Sequence, residues 1–197
     1  SLFYGSVYKD TIFIITNHKA PKWKIMFLNV KDVKKGIKAW KTVIPEDKEA
    51  VINSYNVIQD RLFVGTLEDV HSLLKIYDLK GKFIKELPLS TIGSIGALTG
   101  EEDGEELFFE FSSYLIPSRI YRYDLKSKET TEFKKVKIGI NDKLFTVKQI
   151  WYTSKDGTKI PMFIVHKKGI KLDGDNPAML YGYGGFNIST TPEFDRT

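Results

Sequence analysis

The sequence predicts a mostly β chain, built from repeated four-stranded units up to about residue 138 and changing character after that. Three observations carry this reading. A pair of strands, one apolar and one alternating, recurs three times. Long helical periodicity is absent from residues 1 to about 135. Near residues 136–147 the repeat gives way to a linker, a hairpin signal and a glycine-rich turn.

The repeats come in order. The first has Ile12-Phe13-Ile14-Ile15, then Lys24 to Lys31. The second has Leu62-Phe63-Val64, then Leu74 to Lys80. The third has Leu107 to Phe111, then Arg119 to Lys126. Each alternating strand ends in an Asp or Asn, an aliphatic residue and a lysine: Asn29-Val30-Lys31, Asp78-Leu79-Lys80, Asp124-Leu125-Lys126. The unit returns after about 45 to 50 residues, the period of a four-stranded propeller blade. A blade is a small twisted sheet that needs stacked neighbours to bury its faces. Closed propellers use roughly four to eight blades, and about three are visible here. An incomplete ring, hence a segment of a longer protein, is the simpler expectation; an open array would leave sticky strand edges.

Composition bounds the rest. The chain has 197 residues, 42% of them hydrophobic and 13% aromatic, enough for a packed core. There is no cysteine, which excludes disulfides, thiolate zinc sites and a cysteine nucleophile, and fits a reducing compartment. No apolar run approaches a membrane span, and no signal peptide is visible at the start. The net charge of +5 comes mainly from lysine, with arginine only at positions 61, 119, 122 and 196. A nucleic-acid surface clusters arginine with exposed aromatics, so a solvated lysine surface is expected instead.

After the repeats, Val136 to Lys143 reads as a linker. Val147 to Thr153 is strand-like, Ser154-Lys155-Asp156-Gly157-Thr158 is a hairpin turn, and Lys159 to His166 alternates again. A loop from Lys167 to Asn176 leads to Ala178 to Tyr181, which reads as a buried strand. The turn Tyr181-Gly182-Tyr183-Gly184-Gly185-Phe186-Asn187 follows. Strand, hairpin, strand, loop, buried strand and glycine turn is the order in which an α/β-hydrolase domain opens, and the loop after its third strand carries part of an oxyanion hole.

The remaining chemical signals favour plain structural roles. No Gly-x-Ser-x-Gly occurs; Gly93-Ser94-Ile95-Gly96 places serine directly after glycine, inside the repeats, and reads as a blade turn. His18, His71 and His166 have no partner at metal-ligand spacing, and His166 reads as structural. Asp173-Gly174-Asp175-Asn176 lacks the downstream glutamate of a calcium loop and reads as a turn. No lysine and serine or threonine complete a phosphate loop after Gly185. On pattern alone, Tyr183 and Phe186 read equally well as core aromatics at a strand end or as side chains aimed into a site.

Two stretches carry a resemblance. Leu180-Tyr181-Gly182-Tyr183-Gly184-Gly185-Phe186-Asn187-Ile188-Ser189, preceded by Ser154 to Phe163, closely resembles the prolyl oligopeptidase family. Phe111-Ser112-Ser113-Tyr114-Leu115-Ile116-Pro117 is similar to that family's final-blade signature. The resemblance implies a seven-bladed propeller covering an α/β-hydrolase domain. Residues 1–138 would be its last blades, about three of them, and residues 139–197 the first strands of the hydrolase domain. It implies a serine peptidase that cleaves short proline-containing peptides on the carboxyl side of proline, with the propeller gating access. By position in the motif, Tyr183 would stabilise the oxyanion and Phe186 would line the proline pocket. The family's serine, aspartate and histidine would lie beyond Thr197, so this stretch alone is expected to be inactive. The resemblance implies no cofactor and no metal, a monomeric and cytoplasmic enzyme, and neither nucleic acid nor membrane as partner. Two alternatives stay open: a propeller module that binds peptides or proteins without catalysis, and one chain of a split enzyme whose triad sits on a partner.

Overall fold

The computed structural model describes residues 1–139, 141–186 and 188–195. Three four-stranded antiparallel sheets follow one another along the chain. The first holds β1 (Phe3–Tyr8), β2 (Thr11–Thr16), β3 (Lys24–Asn29) and β4 (Lys41–Ile44). The second holds β5 (Val51–Ile58), β6 (Arg61–Glu68), β7 (His71–Asp78) and β8 (Phe83–Leu87). The third holds β9 (Ser94–Thr99), β10 (Glu106–Ser113), β11 (Ile116–Asp124) and β12 (Thr130–Lys135). Each is a meander whose spatial order equals its chain order. The three sequence repeats fall on β2 and β3, β6 and β7, β10 and β11, the two middle strands of each blade. Among the described residues the sheets do not close a ring.

The Asp/Asn–aliphatic–Lys signature has a single structural cause. Asn29 Oδ1 accepts the Lys31 N–H at 3.0 Å. Asp78 Oδ1 accepts the N–H groups of Lys80 at 2.8 Å and Lys82 at 2.9 Å. Asp124 Oδ1 accepts those of Lys126 at 2.9 Å and Ser127 at 2.7 Å. Each side chain stands in for a backbone carbonyl where the third strand ends: Asp78 and Asp124 close the turn to the fourth strand, and Asn29 caps the 3-10 segment that follows β3. The aliphatic residue that follows tucks inward in the later blades: Leu79 and Leu125 pack against the two cores.

Those cores lie on either side of the second blade. Phe13, Ile15 and Ile25 of the first blade meet Val57, Leu62 and Val64 of the second. On the other face, Ile58, Phe63, Leu74 and Ile76 meet Leu107, Phe109, Phe111 and Tyr123 of the third. The alternation in β6 is therefore apolar on both faces, Leu62 and Val64 to one side and Phe63 to the other, as a strand sandwiched between two sheets requires. Hydrogen bonds stitch the blades as well. Ile52 N–H donates to Lys22 O at 3.1 Å, Gln59 N–H to Glu102 O at 2.9 Å and Ser72 N–H to Gly93 O at 2.9 Å.

The linker expected at Val136 to Lys143 forms no strand in its described residues; Ile140 lies outside them. After it, β13 (Phe145–Thr153) pairs with β14 (Lys159–Lys167) in a two-stranded sheet. The predicted turn closes it: Ser154 N–H donates to Thr158 O at 2.8 Å, and Gly157 takes φ 86.

The segment Ala178 to Tyr181, expected as a buried strand, is not one. It forms no ladder, and Met179 is 93% and Leu180 88% exposed. A strand needs a neighbour for its N–H and C=O groups, and no strand of the described residues runs beside it. The structure also adds a short element not expected above, although Val30, Val33 and Ile37 stand at helical spacing. A 3-10 segment spans Val30–Ala39, is interrupted at Gly36 (φ 65) and packs no residue into the core.

Candidate functional site

The segment that carries the predicted site residues is held against the turn ends of the second and third blades. Gln149 of β13 donates to Asp69 O at 2.5 Å, in the two-residue β6–β7 turn. The Phe163 ring of β14 lies 5.6 Å from the Tyr114 ring, in the β10–β11 turn. Further along, Phe194 N–H donates to Ser112 Oγ at 3.0 Å, and the Pro192 side chain is fully buried. Burial pushes the Tyr114 phenol pKa up, and the negative charge of Glu193 adds to it.

Between these anchors the chain swings outward. Tyr183 is 50% exposed and Phe186 89% exposed. Among the described residues the Tyr183 hydroxyl has no hydrogen-bond partner, which leaves a free phenolic donor. Gly182 and Gly184 have nothing within 4 Å of where a Cβ would stand, so space is open beside the ring. Gly185 does sit under it, with the Tyr183 Oη 3.6 Å from its would-be Cβ. A turn follows, closed by Ile188 N–H donating to Gly185 O at 3.1 Å. Within that turn Phe186 has φ 54, a left-handed conformation that is costly for a bulky side chain. Asn187, the last residue of the motif, lies outside the described residues. The two aromatics thus share one exposed bend, and no carboxylate, histidine or serine of the described residues is hydrogen-bonded to either.

The other polar candidates fall where a structural role puts them. Ser94 opens β9 and is buried, with Gly93 pressed against Phe111: a Cβ there would lie 2.3 Å from the ring. The Gly-Ser pair is thus a tight approach to the neighbouring strand and the first residue of the strand that follows. His166 Nδ1 is 2.9 Å from Lys167 O, and His18 Nδ1 is 3.2 Å from Ser1 Oγ. Asp173 Oδ1 accepts the Asp175 N–H at 3.2 Å, and Gly174 takes φ 94, a turn. Among the described residues no group of three or more His, Cys, Asp or Glu could hold a metal ion.

Sequence reasoning missed a groove of about 450 Å³ along the first strands of the blades, lined by Tyr4, Ser6, Asn53, Tyr55, Gly100 and Glu102 among others. Its lining mixes aromatic and aliphatic side chains (Val7, Ile15 and Val57) with uncharged polar ones and one carboxylate. The signal that could have pointed to it is Asn53-Ser54-Tyr55-Asn56, a polar run inside a first strand. Tyr55 is not free to act there. It donates to Phe13 O at 2.7 Å and accepts from Ser6 N–H at 3.1 Å, which ties the second blade to the first.

Comparison with known proteins adds independent findings. Residues 3–136 match the family model described as "Prolyl oligopeptidase, N-terminal beta-propeller domain". The chain is 38% identical over 186 residues to a prolyl endopeptidase of Elizabethkingia miricola, covering 94% of this chain and 26% of that protein. It is 35% identical to prolyl oligopeptidase A of Amanita bisporigera, covering 94% and 25%. Among solved structures, one from a study of two prolyl endopeptidases and their inter-domain dynamics superposes with a TM-score of 0.87 at 32% identity, covering 98% of this chain and 28% of that one. Prolyl oligopeptidase B from Galerina marginata, bound to a 25mer macrocyclization substrate, gives 0.85 at 28% identity, covering 98% and 27%. The chain therefore spans about a quarter of the length of the relatives it matches.

Proposed function

Because the chain belongs to the prolyl oligopeptidase family, through that family's N-terminal β-propeller domain, we propose that it serves a serine peptidase that cleaves short peptides on the carboxyl side of proline. The blades restrict access to the active site. The part after about residue 138, with β13, β14 and the glycine-rich bend, supplies the opening strands of an α/β-hydrolase domain. Its superposition on solved relatives over 98% of the chain supports that placement, since the match runs well past the propeller model's last residue, 136.

The chain itself contains no Gly-x-Ser-x-Gly, so the nucleophile and its histidine and aspartate partners belong to the rest of the enzyme. What this chain contributes is a donor and a pocket wall. As the serine oxygen attacks the peptide carbonyl, the π bond opens and negative charge gathers on the carbonyl oxygen. The Tyr183 hydroxyl donates a hydrogen bond to that oxygen, and its advantage grows as the charge grows. Phe186 offers a flat apolar face to the substrate's proline ring. Neither step calls for a metal or an organic cofactor. We take the enzyme to be monomeric and cytoplasmic, acting on peptides and on neither nucleic acid nor membrane; the absence of cysteine suits a reducing compartment.

The observation that carries this reading is the free, half-exposed Tyr183 hydroxyl on the same bend as the outward-held Phe186. In the full-length enzyme, Tyr183→Phe is expected to lower kcat at least about ten-fold with little change in KM, the signature of a contact made only in the transition state. An unchanged kcat removes Tyr183 from the chemistry.

A further inference from the structure

Both ends of the stretch that carries Tyr183 and Phe186 land on one hairpin of the third blade. On the near side, the Phe163 ring meets the Tyr114 ring at 5.6 Å. On the far side, Phe194 N–H donates to Ser112 Oγ at 3.0 Å, beside the buried Pro192. Ser112 and Tyr114 stand two positions apart, where β10 turns into β11. The Ser112 hydroxyl is engaged on both sides: it accepts from Phe194 and donates to Ile116 O at 3.3 Å, across its own hairpin. Its orientation is therefore set by the third blade. A neighbouring turn adds a third point, since Gln149 donates to Asp69 O, between two residues in the left-handed region (Asp69 φ 47, Val70 φ 65). A β-branched residue is rarely found in that conformation.

Between these points, no described residue from 168 to 195 belongs to a strand. Among the described residues, the contacts that hold the two ends of this stretch run to the propeller. A loop pinned at both ends samples fewer positions, and the entropy of closing it is lost once, on folding. That matters for a transition-state donor, whose value depends on being in place before charge develops. We infer that the Ser112–Tyr114 turn of the third blade is a positioning element for the Tyr183 hydroxyl, so that the propeller sets where the oxyanion donor stands. This rests on the role given to Tyr183 above. Ser112 and Tyr114 act through the loop they hold.

The test uses the full-length enzyme, a short chromogenic proline peptide and a double-mutant cycle. Ser112→Ala is expected to lower kcat about three- to ten-fold with KM within about two-fold of wild type, a modest misplacement of one donor. Ser112→Thr, which keeps the hydroxyl, is expected to restore the rate. In the Tyr183→Phe background, Ser112→Ala is expected to cost nothing further, because the group it positions is already gone. An undiminished loss in that background shows that Ser112 acts on the enzyme in general and overturns the inference. A wild-type kcat for Ser112→Ala overturns it too, and leaves the role of Tyr183 standing if Tyr183→Phe is slow. A silent Tyr183→Phe removes both. Should Ser112→Ala fail to fold, Tyr114→Leu breaks the Phe163 contact at the other end and enters the same cycle: additivity with Tyr183→Phe overturns the inference, and loss of additivity supports it.

Discussion

Asp78 and Asp124 each hold two backbone N–H groups on a single carboxylate oxygen, and the charge on that oxygen is part of the turn. Those donors keep both carboxyls below the ordinary aspartate pKa, the Lys82 N–H leading at Asp78 and the Ser127 N–H at Asp124. A depressed folded-state pKa stabilises the fold above the unfolded-state value, about 4 for aspartate, and that contribution is lost as pH falls through the folded value. Unfolding midpoints of wild type and of Asp78→Asn, compared between pH 6 and pH 3, are expected to converge as the acid end is approached, because asparagine accepts the same bonds without titrating. A constant gap across that range would mean that the charge contributes nothing. Asp78→Ala, with no acceptor at all, is expected to lie below both at neutral pH. The first blade uses Asn29 at the same place, so the turn chemistry was readable from the three aligned triplets.

Blades meet through close approaches that one added atom would spoil. Gly81, in the β7–β8 turn, has φ 83, and a Cβ there would stand 1.9 Å from Val43 O in the first blade. Gly81→Ala therefore combines a left-handed backbone cost of about 1–2 kcal/mol with a backbone clash. Its thermal midpoint is expected to fall by several degrees; one within a degree of wild type would show that the two blades part there without penalty. Tyr55 joins the same two blades by polar means. It is half-buried, desolvation raises its phenol pKa, and it bonds Ser6 and Phe13. Tyr55→Phe leaves Phe13 O without that donor and is expected to destabilise by about 1–2 kcal/mol in urea unfolding. The strand pairs themselves were legible, because alternation and turn residues are local. The 3-10 segment at Val30–Ala39 was not: Val30, Val33 and Ile37 recur at helical spacing, but the run is short, broken at Gly36 and buries none of them.

At the scale of the whole molecule, the second blade is covered on both faces among the described residues, by the first blade on one side and the third on the other. Phe63 is fully buried against Tyr123, their rings 6.1 Å apart, whereas Phe133 on β12 is 60% exposed. Phe63→Ala is expected to cost about 3–5 kcal/mol, and Phe133→Ala, which loses the edge contact with Phe108 at 5.1 Å, no more than about 1.5 kcal/mol. Equal losses in equilibrium unfolding would contradict the sandwich. The sequence alone determined the three repeats, the middle strands of each blade, the reversals after them, the Asp-Gly hairpin and the aromatic bend at residues 181–186. All of these are written in neighbouring residues: period two, side-chain acceptors for nearby N–H groups, and glycine at positive φ. Tertiary structure decided the rest. Ala178 to Tyr181 is apolar enough for a buried strand, yet lies exposed where no strand pairs with it. The groove along the first strands, and the contacts of Ser112 with Phe194 and of Tyr114 with Phe163, join parts of the chain that no local pattern links. Burial and backbone pairing are satisfied by whatever folds alongside, and that partner is fixed only when the blades stack.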